Sequence, residues 1–323
     1  MKKEDLRIVY MGTPEFAVES LRRLVEGGYN VVGVITMPDK PVGRHQDTLQ
    51  ASAVKQYAVA HGLPVLQPEK LKEPAFLEQL RSLRADLQIV VAFRMLPEVV
   101  WAMPPLGTFN LHASLLPQYR GAAPINWAVI NGETETGVTT FFLRHEIDTG
   151  AVIRQVRVPI ADTDNVGIVH DKLMEVGGQL VVDTVDRILA GDVHPVPQEE
   201  MPDCGALKAA PKIFKETCRI DWQGKTLKQL HDFVRGLSPY PAAWTEMQDA
   251  SGKVYSLKIF ASEKEAGTPK EPTGTILSDG RTYLKVAVDG GYLHLTELQI
   301  AGKKRMRTED FLRGFRMPDG QMR

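Results

Sequence analysis

Three polar residues stand where apolar sequence gives way to loop. Asn110 and His112 lie two positions apart in GTFNLHASLLPQYRGAAP (residues 107–124), and Asp148 lies in HEIDTG (residues 145–150). On a strand, residues i and i+2 project to one face. The three types suit acyl transfer to an amine. The attacking amine must shed a proton while a carbonyl oxygen gathers charge. An imidazole, titrating near neutrality, can relay the proton. An Asn amide can donate to the oxyanion, and loss of such a donor costs about 2.7–4 kcal/mol. A carboxylate can orient the ring and favour its charged form. None of this requires a metal. The two cysteines, Cys204 and Cys218, have neither metal-ligand spacing nor a disulfide framework. His145, just before the Asp148 turn, reads as a solvated neighbour rather than a catalyst.

The elements that must position these residues alternate between strand and helix signals. Residues 6–11 (LRIVYM) form an apolar, β-branched run, and Pro14 then opens a helix patterned on Phe16, Val18, Leu21 and Leu24. Further strands are expected at 29–37, 63–66 and 87–93, with helices at 50–61 and 73–83. The run LQIVVAF (87–93) is continuously apolar, as in a strand covered on both faces. Residues 137–143 and 151–158 read as an antiparallel edge pair, and 166–190 as a long amphipathic helix. The pattern predicts a doubly wound, mainly parallel, Rossmann-like α/β domain with its site at the carboxyl ends of the strands. Gly12-Thr13-Pro14 lacks the G-x-G-x-x-G spacing, so no dinucleotide is expected there.

Residues 191–211 hold four prolines without periodicity and read as a linker. Beyond it, helices at 226–236 and 308–315 bracket short strands at 243–247, 254–260, 274–278, 283–288 and 292–300. These predict a small antiparallel, OB-like β-barrel. The expected division is therefore 1–190, a linker at 191–211, and 212–323. Most of Trp222, Trp244, Tyr240 and Tyr255 are expected to pack in the barrel core rather than stack on bases.

The net charge of −1 hides an asymmetry. Residues 209–323 carry 19 Lys+Arg against 14 Asp+Glu, leaving 20 against 26 for residues 1–208. A basic domain on an acidic one suggests a polyanionic partner for the second. With 43% apolar and 24% charged residues, the chain has a globular composition, and its apolar runs are too short for a membrane helix. No signal peptide is visible, and cysteine usage fits a reducing cytoplasm.

The stretch FNLHASLLPQYRGAAPINWAVINGETETGVTTFFL, with IDTG after it, resembles the hallmark of the folate-dependent formyltransferases: Asn-x-His-x-Ser-Leu-Leu-Pro, Arg-Gly and Pro, then Asp-Thr-Gly. VYMGTPEFA, PDKPVGR, LPVLQP and LQIAGKKRM resemble the branch that formylates charged initiator tRNA, and the likeness runs from about residue 7 to 317. The resemblance implies 10-formyltetrahydrofolate as donor, methionyl initiator tRNA as acceptor, and no metal. It implies Asn110, His112 and Asp148 as the catalytic trio, and Ser114, Leu115, Leu116 and Pro117 as a folate-contacting segment. By the same likeness Phe93, Met95, Leu96 and Pro97 help line the pterin pocket. Arg44 belongs to a loop near the tRNA acceptor end, and Lys303, Lys304 and Arg305 to the surface that holds the tRNA backbone. Phosphate contacts of this kind give salt-dependent affinity rather than sequence readout.

The sequence departs from the family in two places. His45-Gln46-Asp47 stands where lysines commonly follow the PxGR stretch, and Phe93-Arg94 replaces a frequent Tyr-Gly. Rival readings are a nucleotide-sugar or glycinamide ribonucleotide formyltransferase, a formyltetrahydrofolate hydrolase, and a non-catalytic RNA-binding protein. The basic second domain argues against the small-substrate readings. A monomer is expected, since no feature demands a partner subunit.

Overall fold

Alternating apolar runs and amphipathic segments build a layered first unit, whose strands are buried because helices cover both faces. The computed structural model describes residues 1–42, 48–202, 205–316 and 320–323. The chain folds as two compact units. One comprises Met1–Gly121, Thr136–Val158 and His170–Ala209; the other comprises Ala122–Glu135, Pro159–Val169 and Ala210–Arg323.

In the first unit β1 (Ile8–Gly12) is wholly buried, and α1 (Glu15–Glu26) follows it, burying Phe16, Ala17, Leu21 and Leu24. Next come β2 (Val31–Ile35), α2 (Ala53–Ala60), β3 (Val65–Leu66), α3 (Pro74–Ser82) and β4 (Leu87–Val91). Then follow α4 (Glu98–Trp101), β5 (Thr108–His112), β6 (Glu135–Phe142), β7 (Val152–Pro159) and α6 (Val166–Ala190), while α5 (Pro124–Ile130), between β5 and β6 in the chain, belongs to the second unit. The sheet order is β7-β6-β5-β4-β1-β2-β3. Strands β5, β4, β1, β2 and β3 pair in parallel, and β6 runs antiparallel to β5. The chain winds outward from β1 in both directions, so the fold class read from the sequence holds. The switch lies between β1 and β4, and ligands in such sheets bind beyond the carboxyl ends of the strands.

Helix α6 covers the sheet face opposite to the polar pair. Its Gly177 sits where any Cβ would come within 2.8 Å of Leu111 and 3.5 Å of Val138. Leu111 therefore points to α6, and Asn110 and His112 alternate to the other face.

Two local elements differ from expectation. Residues 50–52 do not open α2: Thr48–Gln50 pairs antiparallel with Lys40–Val42, and Ser52 caps the helix by accepting Lys55 N–H at 3.0 Å. Helix α5, with Pro124 in its first turn, has no counterpart among the expected elements. Seven residues span only two turns, too few for a clear 3.6 period.

In the second unit, α7 (Leu227–Leu237) opens with a capping box between Thr226 and Gln229. It precedes β8 (Ala243–Asp249), β9 (Val254–Ala266), β10 (Ile276–Ser278), β11 (Leu284–Val288) and β12 (Gly291–Ile300). Then come β13 (Met306–Arg307), α8 (Thr308–Gly314) and β14 (Gly320–Met322). The order β10-β11-β12-β9-β8-β14 is antiparallel at each pairing for which the register is given, and β13 pairs with β12. A bridge between Thr275 and Gln321 joins the two ends, giving a nearly closed barrel. Along β12 the two-residue burial alternation slips at Thr296–Glu297, opposite the register shift of β9 at Ala261. Such a bulge bends the strand as closure requires.

Trp222 lies in this barrel's core, donating its indole N–H to Thr245 Oγ1 at 2.8 Å. Trp244 and Tyr255 pack against that core, so three of the four aromatics do as expected of most of them, and Tyr240 is 83% exposed. It stands among prolines (SPYPAA), where no strand period aims it inward.

A buried charge cluster holds residues 159–169 to α7. Asp232 pairs with Arg235 at 2.8 Å and Lys228 at 2.6 Å, and Arg235 donates to the carbonyls of Ala161 and Asp164. Asp232→Ala leaves the Arg235 charge buried without its partner. It is expected to cost about 3–5 kcal/mol, read as a lowered midpoint of urea unfolding.

Candidate active site

His112 ends β5 and is 7% exposed. Its Nε2 lies 2.9 Å from the carbonyl oxygen of Tyr119. A carbonyl only accepts, so Nε2 carries the hydrogen. Nδ1 is thereby the ring's remaining proton acceptor, and it faces Asp148 Oδ2 at 3.9 Å. That gap is too long for a direct hydrogen bond. It leaves both groups able to contact a third, hydrogen-bearing atom.

Asn110, half-buried, sits between Val90 of β4 and Phe141 of β6 in the register. Phe141 is buried on the same face, with its ring edge-on to His112 at 6.5 Å between centroids. The structure thus brings the three sequence-predicted residues to one place, two by strand register and one by a turn.

That turn is unusual. Asp148 adopts φ 54°, the left-handed region that costs a non-glycine residue about 1–3 kcal/mol. Its Oδ2 accepts the Gly121 N–H at 3.1 Å. Two residues on, a Cβ at position 150 would stand 1.6 Å from the Phe142 carbonyl oxygen, so only glycine fits there. Tyr119, whose carbonyl fixes the His112 ring, is also left-handed at φ 59°, as is Ala92 just after β4 at φ 47°. Backbone strain of this kind clusters at functional sites.

The loop after β5 is tied down by neighbours that sequence reading overlooked. Thr139 Oγ1 donates to the Ser114 carbonyl at 2.7 Å and accepts the Leu116 N–H at 3.2 Å. Gln155 Nε2 donates to the Leu116 carbonyl at 2.7 Å. The Ser114 hydroxyl donates to the Gln118 carbonyl, and the Leu116 side chain packs on Phe141 and Val152. Leu115 and Pro117 are half-buried. Of the residues after β4, Leu96 is buried, Phe93 and Pro97 half-buried, and Met95 71% exposed. Arg94 donates to the carbonyls of Glu69 and Pro68, and burial pushes its guanidinium pKa down.

The segment read as a linker also contributes. Gln198, 3% exposed, reaches the Asp148 turn, and Tyr119 N–H donates to the Lys208 carbonyl at 2.7 Å. No spacing signal marked Gln198, because a side-chain amide bonded to backbone carbonyls leaves no periodicity. His145 is exposed, 3.5 Å from Glu98 and edge-on to Trp101.

In the barrel unit Lys303 and Lys304 are exposed, and neither ammonium forms an ion pair among the described residues. Arg305 is held by Glu297 at 2.6 and 2.8 Å and lies over the Phe260 ring. Arg44 lies outside the described residues. Among those residues no helix is long and apolar enough to cross a membrane, and no cluster of His, Cys, Asp and Glu is arranged for a metal ion.

A methionyl-tRNA formyltransferase of Bacteroides thetaiotaomicron is 68% identical over 320 residues, covering 99% of each chain. One of Parabacteroides distasonis is 69% identical over 317 residues, covering 98% of each. Among solved structures, an N-formyltransferase of Helicobacter canadensis, in complex with folinic acid and dTDP-3-aminofucose, superposes with a TM-score of 0.62. It is 20% identical, with 90% of this chain and 98% of that one covered, a likeness that speaks to fold alone. Residues 6–185 match the family described as Formyl transferase, and residues 212–316 match Formyl transferase, C-terminal domain. With both matches in order along the chain and relatives this close across its whole length, the chain belongs to the formyl transferase family.

Proposed function

We propose that this chain transfers the formyl group of 10-formyltetrahydrofolate to the amino group of methionyl initiator tRNA. The observation that carries the reading is the full-length identity of 68% to a relative named for that reaction, spanning both units and all three site residues. The site supplies the chemistry. Asn110 donates its amide to the formyl oxygen as charge develops there. His112 receives the amine proton at Nδ1, since Nε2 is held on the Tyr119 carbonyl. An amine nitrogen about 3 Å from both Nδ1 and Asp148 Oδ2 closes a triangle on their 3.9 Å separation. Asp148 thereby orients the amine and steadies the imidazolium. The C–N bond to the methionyl amine forms to give a tetrahedral intermediate, which collapses by breaking the C–N bond to the folate as the proton passes to the departing nitrogen. No covalent enzyme intermediate is formed.

A folate needs apolar walls for its flat rings. Half-buried Phe93 and Leu143, packed against the core cluster that includes Leu96, offer such surface, and Met95 and Pro97 extend it. The loop of Ser114, Leu115, Leu116 and Pro117 makes the remaining folate contacts, with half-buried Leu115 and Pro117 its more accessible members. The site works in the cytoplasm, where the chain acts as a monomer, with no metal. Residues 212–323 hold the tRNA backbone, aided by Arg44 of the first unit.

The test is formyl transfer from 10-formyltetrahydrofolate to charged initiator tRNA, with charged elongator methionine tRNA and no RNA as controls. Rapid formylation of the initiator supports the reading. Folate turnover without RNA overturns it in favour of a hydrolase. The double variant Lys303→Ala with Lys304→Ala is expected to raise KM for tRNA severalfold, leave kcat unchanged, and reduce the slope of log affinity against log salt. Arg305→Ala should do less, because Glu297 already engages that guanidinium.

A further inference from the structure

We infer that Gln198 is a positioning residue for the reaction proposed above, on which this inference rests: it holds the Asp148 turn so that the carboxylate faces His112. Its Nε2 donates to two carbonyls of that turn, Asp148 at 2.7 Å and Gly150 at 2.9 Å. Its Oε1 accepts Arg120 Nε at 3.0 Å and Nη2 at 2.6 Å. Carbonyls only accept and a guanidinium only donates, so the amide has one orientation that satisfies all four contacts. Both ends of this side chain are therefore committed.

The contacts close a ring. Arg120 precedes Gly121, whose N–H holds the Asp148 carboxylate, and follows Tyr119, whose carbonyl holds His112. Gln198 thus connects the backbone of one catalytic residue to the three-residue segment that restrains both. Asp148 needs this restraint because its left-handed φ of 54° persists only when the surroundings over-determine it. Gln198 is itself well anchored. The backbones of Val196 and Val152 exchange two hydrogen bonds, at 2.8 and 2.9 Å, fixing its segment beside β7. Among the described residues its side-chain hydrogen bonds go to Arg120 and to the Asp148 and Gly150 carbonyls, not to the Asp148 carboxylate or His112, so it acts through the turn.

The experiment compares Gln198→Ala and Gln198→Glu with the unsubstituted full chain. Gln198→Glu keeps size and the Arg120 pairing but sets a carboxylate against two carbonyl oxygens. Misplacement by about 1 Å costs about 10²-fold in rate. Both variants are expected to lose kcat on that scale with KM for folate and tRNA unchanged and unfolding temperatures near the parent's. In an Asp148→Ala background, where no carboxylate remains to position, Gln198→Ala should change the single-turnover rate by less than about twofold. Wild-type kcat in Gln198→Glu, a loss expressed in KM, or an equal fold-loss in both backgrounds each overturns the inference. A parent chain that fails to formylate methionyl-tRNA defeats the proposed function instead. Crystal structures then decide this point separately: in Gln198→Ala the Gly121–Asp148 hydrogen bond should open and Asp148 leave the left-handed region. An unchanged turn sinks it.

Discussion

His112→Ala is expected to lower kcat for formyl transfer by about 10²–10⁴-fold, the range a positioned proton acceptor contributes. Affinity for folate and for tRNA should stay within about twofold, measured by equilibrium binding of each. The geometry sharpens this into a choice between two ring nitrogens. Nε2 is occupied by the Tyr119 carbonyl, so it restrains the ring, while Nδ1 faces Asp148. A glutamine side chain reproduces the Nε2–H donor and lacks the Nδ1 base. His112→Gln should therefore keep the loop after β5 in place yet be nearly as inactive as His112→Ala in single turnover. Recovery of substantial rate in His112→Gln would mean that Nε2 matters for more than restraint, and that Nδ1 is not the acceptor.

The sheet was legible because burial on two faces writes itself into sequence. LQIVVAF reads as a covered strand, and the structure buries every residue of β4 (Leu87–Val91), although the strand ends there and leaves Ala92 exposed and Phe93 half-buried. The polar pair was legible for the opposite reason. Asn110 and His112 break an apolar pattern at a strand end, and they share a face by the two-residue period. Asp148 was found by motif and not by pattern. What makes it a partner of His112 is a left-handed turn and a Gly121 N–H contributed from 27 residues away. Neither is periodic.

The supporting network was illegible on the same principle. Thr139 and Gln155 sit on strands where any partly polar pattern would do, and Gln198 lies in a proline-rich stretch that reads as a connector. Their identity matters only through single hydrogen bonds made across the fold. The barrel shows the intermediate case. Five of its strands followed from alternation and turns, whereas Gly320–Met322, three residues long, is a strand only because Met247, Gln248 and Asp249 pair with it. Arg305 marks a further limit. A Lys-Lys-Arg run suggests three available cations, yet Glu297, eight residues earlier, engages one of them across the β12–β13 pairing.

Asn110→Ala is expected to lower kcat by about 10²–10³-fold, the cost of removing one oxyanion donor. The effect should fall on turnover with KM for both substrates nearly constant, because the donor strengthens its contact only as the formyl oxygen gains charge. Register supports this assignment over a structural one. Asn110 lies between Val90 and Phe141, two apolar neighbours that would accept a Leu or Val packed in its place if the position served the fold. Asn110→Leu should accordingly leave the unfolding temperature close to the parent's while losing at least as much rate as Asn110→Ala. Asn110→Asp separates donation from polarity. It keeps the shape but presents an acceptor with negative charge to an oxygen that is itself becoming negative, so its rate should fall below that of the alanine variant. An aspartate variant faster than the alanine one would show that Asn110 positions by volume or polarity, and that the oxyanion finds its donor elsewhere.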